Sequence, residues 1–289
     1  MYNAACICAD WKAVLKEFRS GRLVDIDEIQ SFISRSEDLD SALEKWSENL
    51  SEEFDYEKFP ITLTSSSGWL NPLLIAPGAP EVGHRYKNFG VVARWTFFRT
   101  TRLILNGNML EMCRALSDAP PLGLDVGMPI NIHRRRKIAS RMLDLANNIC
   151  EAAISHFTIA IPAHLDADTS IDVPGMRGYS LLWPLFVAGM FYKWTSLHAL
   201  DVNNRKEWIK TALLFIQNQL SIQKAGAFLR TLELGYVSGS SAKTRGYLPE
   251  AEARSAEQKR YIIPDLPVSP YPEIEFFEHT FTSTPILST

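Results

Sequence analysis

The chain has 289 residues, 46% of them hydrophobic and 11% aromatic, which is enough to bury a sizeable core and sets the expectation at one or two domains. A formal net charge of -3 removes the basic surplus that drives nonspecific attraction to nucleic acid or anionic membranes, so any such contact must be local. The four cysteines, Cys6, Cys8, Cys113 and Cys150, lack the paired spacings of zinc sites and read as reduced, mostly buried thiols of an intracellular protein.

In chain order, no charged start, apolar run and small-residue site marks a signal peptide. "ADWKAVLKEF" sets Trp11, Val14, Leu15 and Phe18 on one helical face, with Gly21 as a stop. "DLDSALEKWSENL" does the same with Leu39, Leu43 and Trp46. Phe59 to Gly83, with four prolines and a serine cluster, reads as a long loop. Trp95, Phe98, Arg102, Leu105, Met109, Met112 and Leu116 then recur at spacings of three and four. Arg102 is the one polar intrusion in that stripe, and Asn106-Gly107-Asn108 is its weak point.

The only dense basic run is "HRRRK", His133, Arg134, Arg135, Arg136 and Lys137. It reads either as a short nuclear-import signal or phosphate contact, or as the solvated first turn of the helix bearing Ile138, Met142, Leu145, Ile149 and Ala153. Ala160 to Gly178 is a second long connection. The apolar run Leu181 to Tyr192 follows it, twelve residues against the roughly 20 that a membrane crossing needs. Pro184 fits a helix there if the helix starts between Ser180 and Trp183, where the first-turn amides have no partner to lose. Ile209, Leu213, Ile216 and Leu220 form the next stripe. Ser221 is placed to cap a last helix carrying Ala225, Phe228, Leu229 and Leu232, closed by Gly235.

These patterns predict an all-α fold: a multi-helix array around a buried central apolar helix, with long loops and a flexible C-terminal tail. The helical domain spans 1–235, a polar linker with a short helix 236–263, and a Pro-rich acidic-aromatic tail 264–289. The tail has five prolines, four acids and no lysine or arginine, a composition that favours disorder. Its centre, "YPEIEFFEHTF", has the make-up of disordered activation segments.

Signatures of catalysis are thin. His156, His164 and Asp166 are the one grouping that folding could gather into a metal or acid/base pair. "DADTSIDVPGMR" begins like a calcium loop with Asp166, Asp168, Ser170 and Asp172. Ile171 stands where glycine is needed and Arg177 where a bidentate glutamate belongs, so the motif fails. No cofactor, metal or catalytic residue is assigned.

"ALEKWSENL" (Ala42 to Leu50), "ARWTFFRTTRLIL" (Ala93 to Leu105), "GYSLLWPLFVAG" (Gly178 to Gly189) and "EWIKTALLFIQNQLSIQKAGAFLRTLE" (Glu207 to Glu233) occur in an order that resembles the C-terminal half of the regulatory domain of fungal zinc binuclear cluster transcription factors. The Trp-x-x-x-Arg-x-x-Arg set of that family corresponds to Trp95, Arg99 and Arg102. The family's DNA reader, an N-terminal module of six cysteines holding two zinc ions, is not found before Trp11; either the chain is complete and lacks it or the chain is a fragment and the module lies outside, and in both cases no zinc site carries over. The resemblance implies a nuclear or cytoplasmic regulatory protein, linked to transcription and secondary metabolism, that does not bind DNA in the family's way, and the short apolar run and net charge add the expectation of no membrane contact. It implies a protein partner, such as a full-length transcription factor, and leaves room for a small-molecule ligand. Trp95, Arg99 and Arg102 then form a polar network or a ligand contact. The alternatives are a helical enzyme or biosynthesis-associated protein using the His156 to Asp172 loop, and a binding module without transcriptional output.

Overall fold

The computed structural model describes residues 2–19, 26–61, 65–118, 128–158, 175–194 and 200–234. Chain contacts divide it into two units, Met1–Glu233 and Leu234–Thr289, and the elements below belong to the first apart from the last residue of α8. The linker and tail lie outside the described residues, as does most of the connection from Ala160 to Gly178.

Among the described residues the fold is all-α apart from one small sheet. Its helices are α1 (Tyr2–Arg19), α2 (Ile26–Glu48), α3 (Asn71–Leu74), α4 (Phe89–Asp118), α5 (Met128–Thr158), α6 (Gly175–Trp194), α7 (Leu200–Gln219) and α8 (Lys224–Leu234). β1 (Tyr56–Pro60) and β2 (Val82–Tyr86) pair antiparallel, with Tyr56 opposite Tyr86 and Pro60 opposite Val82. Two short 3₁₀ turns, Glu52–Phe54 and Ser65–Leu70, flank β1 and lead into α3.

The apolar run lies at the centre, as its composition predicts. Leu181, Leu182, Leu185, Phe186, Val187 and Ala188 are almost fully buried among α4, α5 and α7. From α8, the Phe228 ring lies 4.8 Å from that of Phe186. Each large side chain buried this way stabilises the fold by about 1.5–3 kcal/mol. The helix starts earlier than the sequence suggests, at Gly175, so Pro184 stands in its interior rather than its first turn. An interior proline removes the amide that would bond the carbonyl four residues back and costs about 3 kcal/mol. The burial on all sides of Pro184 offsets that cost, and this is why an N-terminal position is not required.

Other expectations also change. The Phe59 to Gly83 stretch is not all loop, because its two ends are the paired strands. Gly83 lies opposite Phe59, and a Cβ there would come within 2.9 Å of the Phe59 ring, so the glycine lets the ring cross the strand. Between the strands, Leu70 and Leu73 are buried. Two side chains of α7 fasten the segment: Trp208 Nε1 donates to the Leu73 carbonyl (2.9 Å) and Arg205 to the Gly78 carbonyl (2.8 Å).

α4 runs unbroken through Asn106-Gly107-Asn108, because the buried Asn106 amide donates to the Arg102 carbonyl and to Asp40 instead of unwinding the backbone. Ser221 does not cap α8. It adopts φ +56° and sits just past α7, where the Ile222 amide reaches back to the Ile216 carbonyl. That is a left-handed C-terminal stop, a place usually taken by glycine.

Candidate functional site

The residues that carry the resemblance meet in space. On α2, Leu39, Ala42, Leu43 and Trp46 recur at helical spacing and form one wall of a half-open groove of about 660 Å³. Arg94, Trp95 and Phe98 of α4 form the facing wall. Leu50 and Phe54 close one end, and Asn3 of α1 joins the lining. Trp46 and Phe98 have ring centroids 5.4 Å apart, and Trp95 stands edge-on to Phe98 at 5.5 Å. The Trp95 indole N–H donates to the Phe54 carbonyl at 2.7 Å, which fixes the ring's angle. The Arg94 guanidinium lies 5.3 Å over the Phe54 ring.

A buried ionic node holds the two walls together. The Asp40 side chain is 0% exposed, and Arg102 grips its carboxylate with two bonds, Nε to Oδ1 at 2.7 Å and Nη2 to Oδ2 at 2.9 Å. Arg141 of α5 adds a third bond at 2.6 Å and Asn106 a fourth at 2.9 Å. Glu44 takes a further Arg102 hydrogen at 3.2 Å, so two guanidiniums face two carboxylates. Burial by itself lowers an arginine's pKa, but Asp40 and Glu44 outweigh it and hold that of Arg102 above its ordinary value.

Arg99 lies in a separate cluster. Its guanidinium carbon stands 4.8 Å over the Tyr56 ring and 5.1 Å over Trp95, and Nη1 donates to the Tyr86 hydroxyl at 2.6 Å. Because arginine can only donate, the Tyr86 oxygen accepts there; the Glu151 carboxylate can only accept from His84 Nε2, so Nδ1 of the neutral ring is bare and takes the Tyr86 hydrogen (2.9 Å). His84 is therefore the Nε2–H tautomer, and it donates to Glu151 (2.8 Å), which Lys58 also reaches (2.9 Å). Burial pushes His84 down to about 4 against the pull of Glu151, so the imidazole is neutral near pH 7. Trp95, Arg99 and Arg102, named together from the sequence, thus divide between the groove wall, this relay of hydrogen bonds and the Asp40 node.

His156 is fully buried in α5, with Thr96 Oγ1 3.0 Å from Nε2 and Ser180 Oγ 3.2 Å from Nδ1. Burial, then Arg177 and Arg99, push its pKa down to about 3. Thr96 Oγ1 and Ser180 Oγ each also donate to a helix carbonyl, of Val92 and Arg177, so the neutral ring's one N–H is donated to whichever hydroxyl faces the protonated nitrogen. His164, Asp166, Asp168, Ser170 and Asp172 lie outside the described residues. Among the described residues, no group of three His, Cys, Asp or Glu side chains is placed to hold a metal.

The basic run lies past the first turn of α5, which starts at Met128 rather than just ahead of Ile138. Arg134 is committed to Glu37 of α2 through a two-bond pair, whereas His133, Arg136 and Lys137 are exposed. Cys8, Cys113 and Cys150 are buried and Cys6 partly so, all four as free thiols.

Sequence reasoning missed Asp40, Arg141, His84, Tyr86 and Glu151. A signal existed for Asp40: the buried stripe of α2 runs Ile29, Ile33, Ser36 and then Asp40, so its acid interrupts an apolar face just as Arg102 does on α4. No helix among the described residues is long and apolar enough to cross a membrane. Compared with family models, curated proteins and solved structures, the chain matches none.

Proposed function

We propose that this chain is a regulatory module of the kind found in fungal zinc binuclear cluster transcription factors, acting in the nucleus by binding other molecules. The supporting observation is that two separate motif segments, Ala42 to Leu50 and Ala93 to Leu105, form the facing walls of one open groove, locked by the Asp40–Arg102 pair. The titratable groups nearest catalytic chemistry serve structure instead: His84, Glu151 and His156 spend their hydrogen bonds on neighbouring side chains. The helical enzyme alternative uses the His156 to Asp172 loop; of it the described residues hold His156, Phe157 and Thr158, and both His156 nitrogens are engaged by hydroxyls. In this reading regulation works through a protein partner, such as a full-length transcription factor.

The basic run apart from Arg134 supplies the import signal, and localisation tests this directly. A fluorescently tagged chain accumulates in fungal nuclei, and the combined Arg135→Ala, Arg136→Ala and Lys137→Ala variant does not. Arg134 is left in place because it pairs with Glu37 and its loss would disturb the fold. Exclusion of the unaltered chain from nuclei overturns the reading.

A further inference from the structure

Most cations near the two walls of the groove are already neutralised. Arg102 is saturated by Asp40 and Glu44, Arg141 by Asp40 and Arg134 by Glu37. Arg94 differs from these. It is the only charged side chain in the groove lining, it is exposed, and no carboxylate pairs with it among the described residues. Its one contact there is the Phe54 ring, which orients the guanidinium along the aromatic lining without neutralising it.

The remaining lining is apolar and strongly aromatic. Trp46 is 53% exposed, an unusual position for the largest hydrophobic side chain, yet its ring is braced against Phe98. Trp95 is held by its indole hydrogen bond, so the aromatic walls are fixed before anything binds. A concave volume of about 660 Å³ falls within the ~300–1,000 Å³ range of sites for small organic ligands. Arg99, which also pairs with no carboxylate among the described residues, is buried behind Trp95 and outside the lining, so shape, aromatic walls and the one cation that faces the groove converge on one chemistry. We propose that the groove binds an amphipathic organic monoanion, with its flat fused-ring or conjugated body between Trp46, Trp95 and Phe98 and its carboxylate on Arg94. This names the ligand class of the regulatory reading above and rests on it.

The test uses the purified full chain and two fluorescent probes of equal shape, 1-pyrenebutyrate and its neutral counterpart 1-pyrenebutanol. Energy transfer from tryptophan to pyrene reports binding. The acid binds saturably at one per chain and about three- to fivefold more tightly than the alcohol, the margin that an exposed ion pair supplies. Arg94→Gln abolishes that margin and leaves the alcohol's affinity unchanged. Trp46→Ala weakens both probes, and circular dichroism shows both variants folded. Equal affinity for acid and alcohol, or an acid margin that survives Arg94→Gln, overturns the proposal. So does probe binding that disappears as the chain self-associates, because a second copy then occupies the groove. A chain that binds the acid as described but stays out of nuclei keeps the site and loses the regulatory reading. A nuclear chain indifferent to the acid does the reverse.

Discussion

The Asp40 carboxylate shows how much one buried atom group can control. Its charge is compensated by two arginines and an asparagine, and removing it leaves Arg102 and Arg141 without their principal partner in a dry environment. Breaking a buried pair on one side only typically costs about 3–5 kcal/mol. Asp40→Ala is therefore expected to lower the unfolding free energy measured in urea by that amount, whereas the joint change Asp40→Leu with Arg102→Met recovers much of it. A second prediction concerns protons. His84 and His156 have folded pKa values near 4 and 3, below the 6.5 of an unfolded imidazole, so in acid the unfolded chain takes up protons that the folded chain refuses. Their contribution is fully present above about pH 6.5 and is lost as pH falls toward the folded values. Between pH 7 and 5.5 this removes on the order of 2 kcal/mol, and thermal melts at the two pH values measure it. A melting temperature unchanged across that window would contradict the buried, neutral assignment of both rings. Arg102 could be recognised from sequence as needing a partner; which partner could not, because Asp40 is 62 residues away and only the packing of α2 on α4 brings them together.

At the scale of elements, helix interiors were readable, as were the ends of α1 and α8 beside Gly21 and Gly235, but several other ends were not. The three-and-four spacing marks the buried stripes of α4, α5 and α7, since that period comes from the backbone itself, and the unbroken apolar run marks α6. Ends depend on tertiary partners. α6 extends past Pro184 because its neighbours enclose it, and α4 continues through Asn106 because Asp40 accepts its amide hydrogen. The strands escaped notice because each has five residues, with Pro60 in one and Gly83 in the other blurring the alternation. Two substitutions probe the junctions. Ser221 holds a left-handed conformation that costs a residue bearing a Cβ about 1 kcal/mol, so Ser221→Gly should raise the denaturation midpoint while Ser221→Val lowers it. Gly78 has φ +78°, and a Cβ there would lie 2.0 Å from the Asn204 carbonyl oxygen of α7. Gly78→Ala must push α3 and its connection off that helix, with an expected loss of more than about 2 kcal/mol by chemical denaturation.

Across the whole molecule, the all-α architecture and its buried apolar centre follow from composition and period alone. The groove does not, because its walls come from segments about fifty residues apart and its chemistry depends on which arginine is left unneutralised. The brace between α2 and α5 has a mechanical meaning. Glu37 and Asp40, one turn apart on α2, hold Arg134 and Arg141, two turns apart on α5. Two tethers converging from a wide base onto a narrow one act like the legs of a trestle: sliding or rolling the upper rod slackens one leg only by stretching the other. The wall bearing Leu43 and Trp46 therefore keeps its spacing while empty, and an incoming guest meets a gap already cut to width.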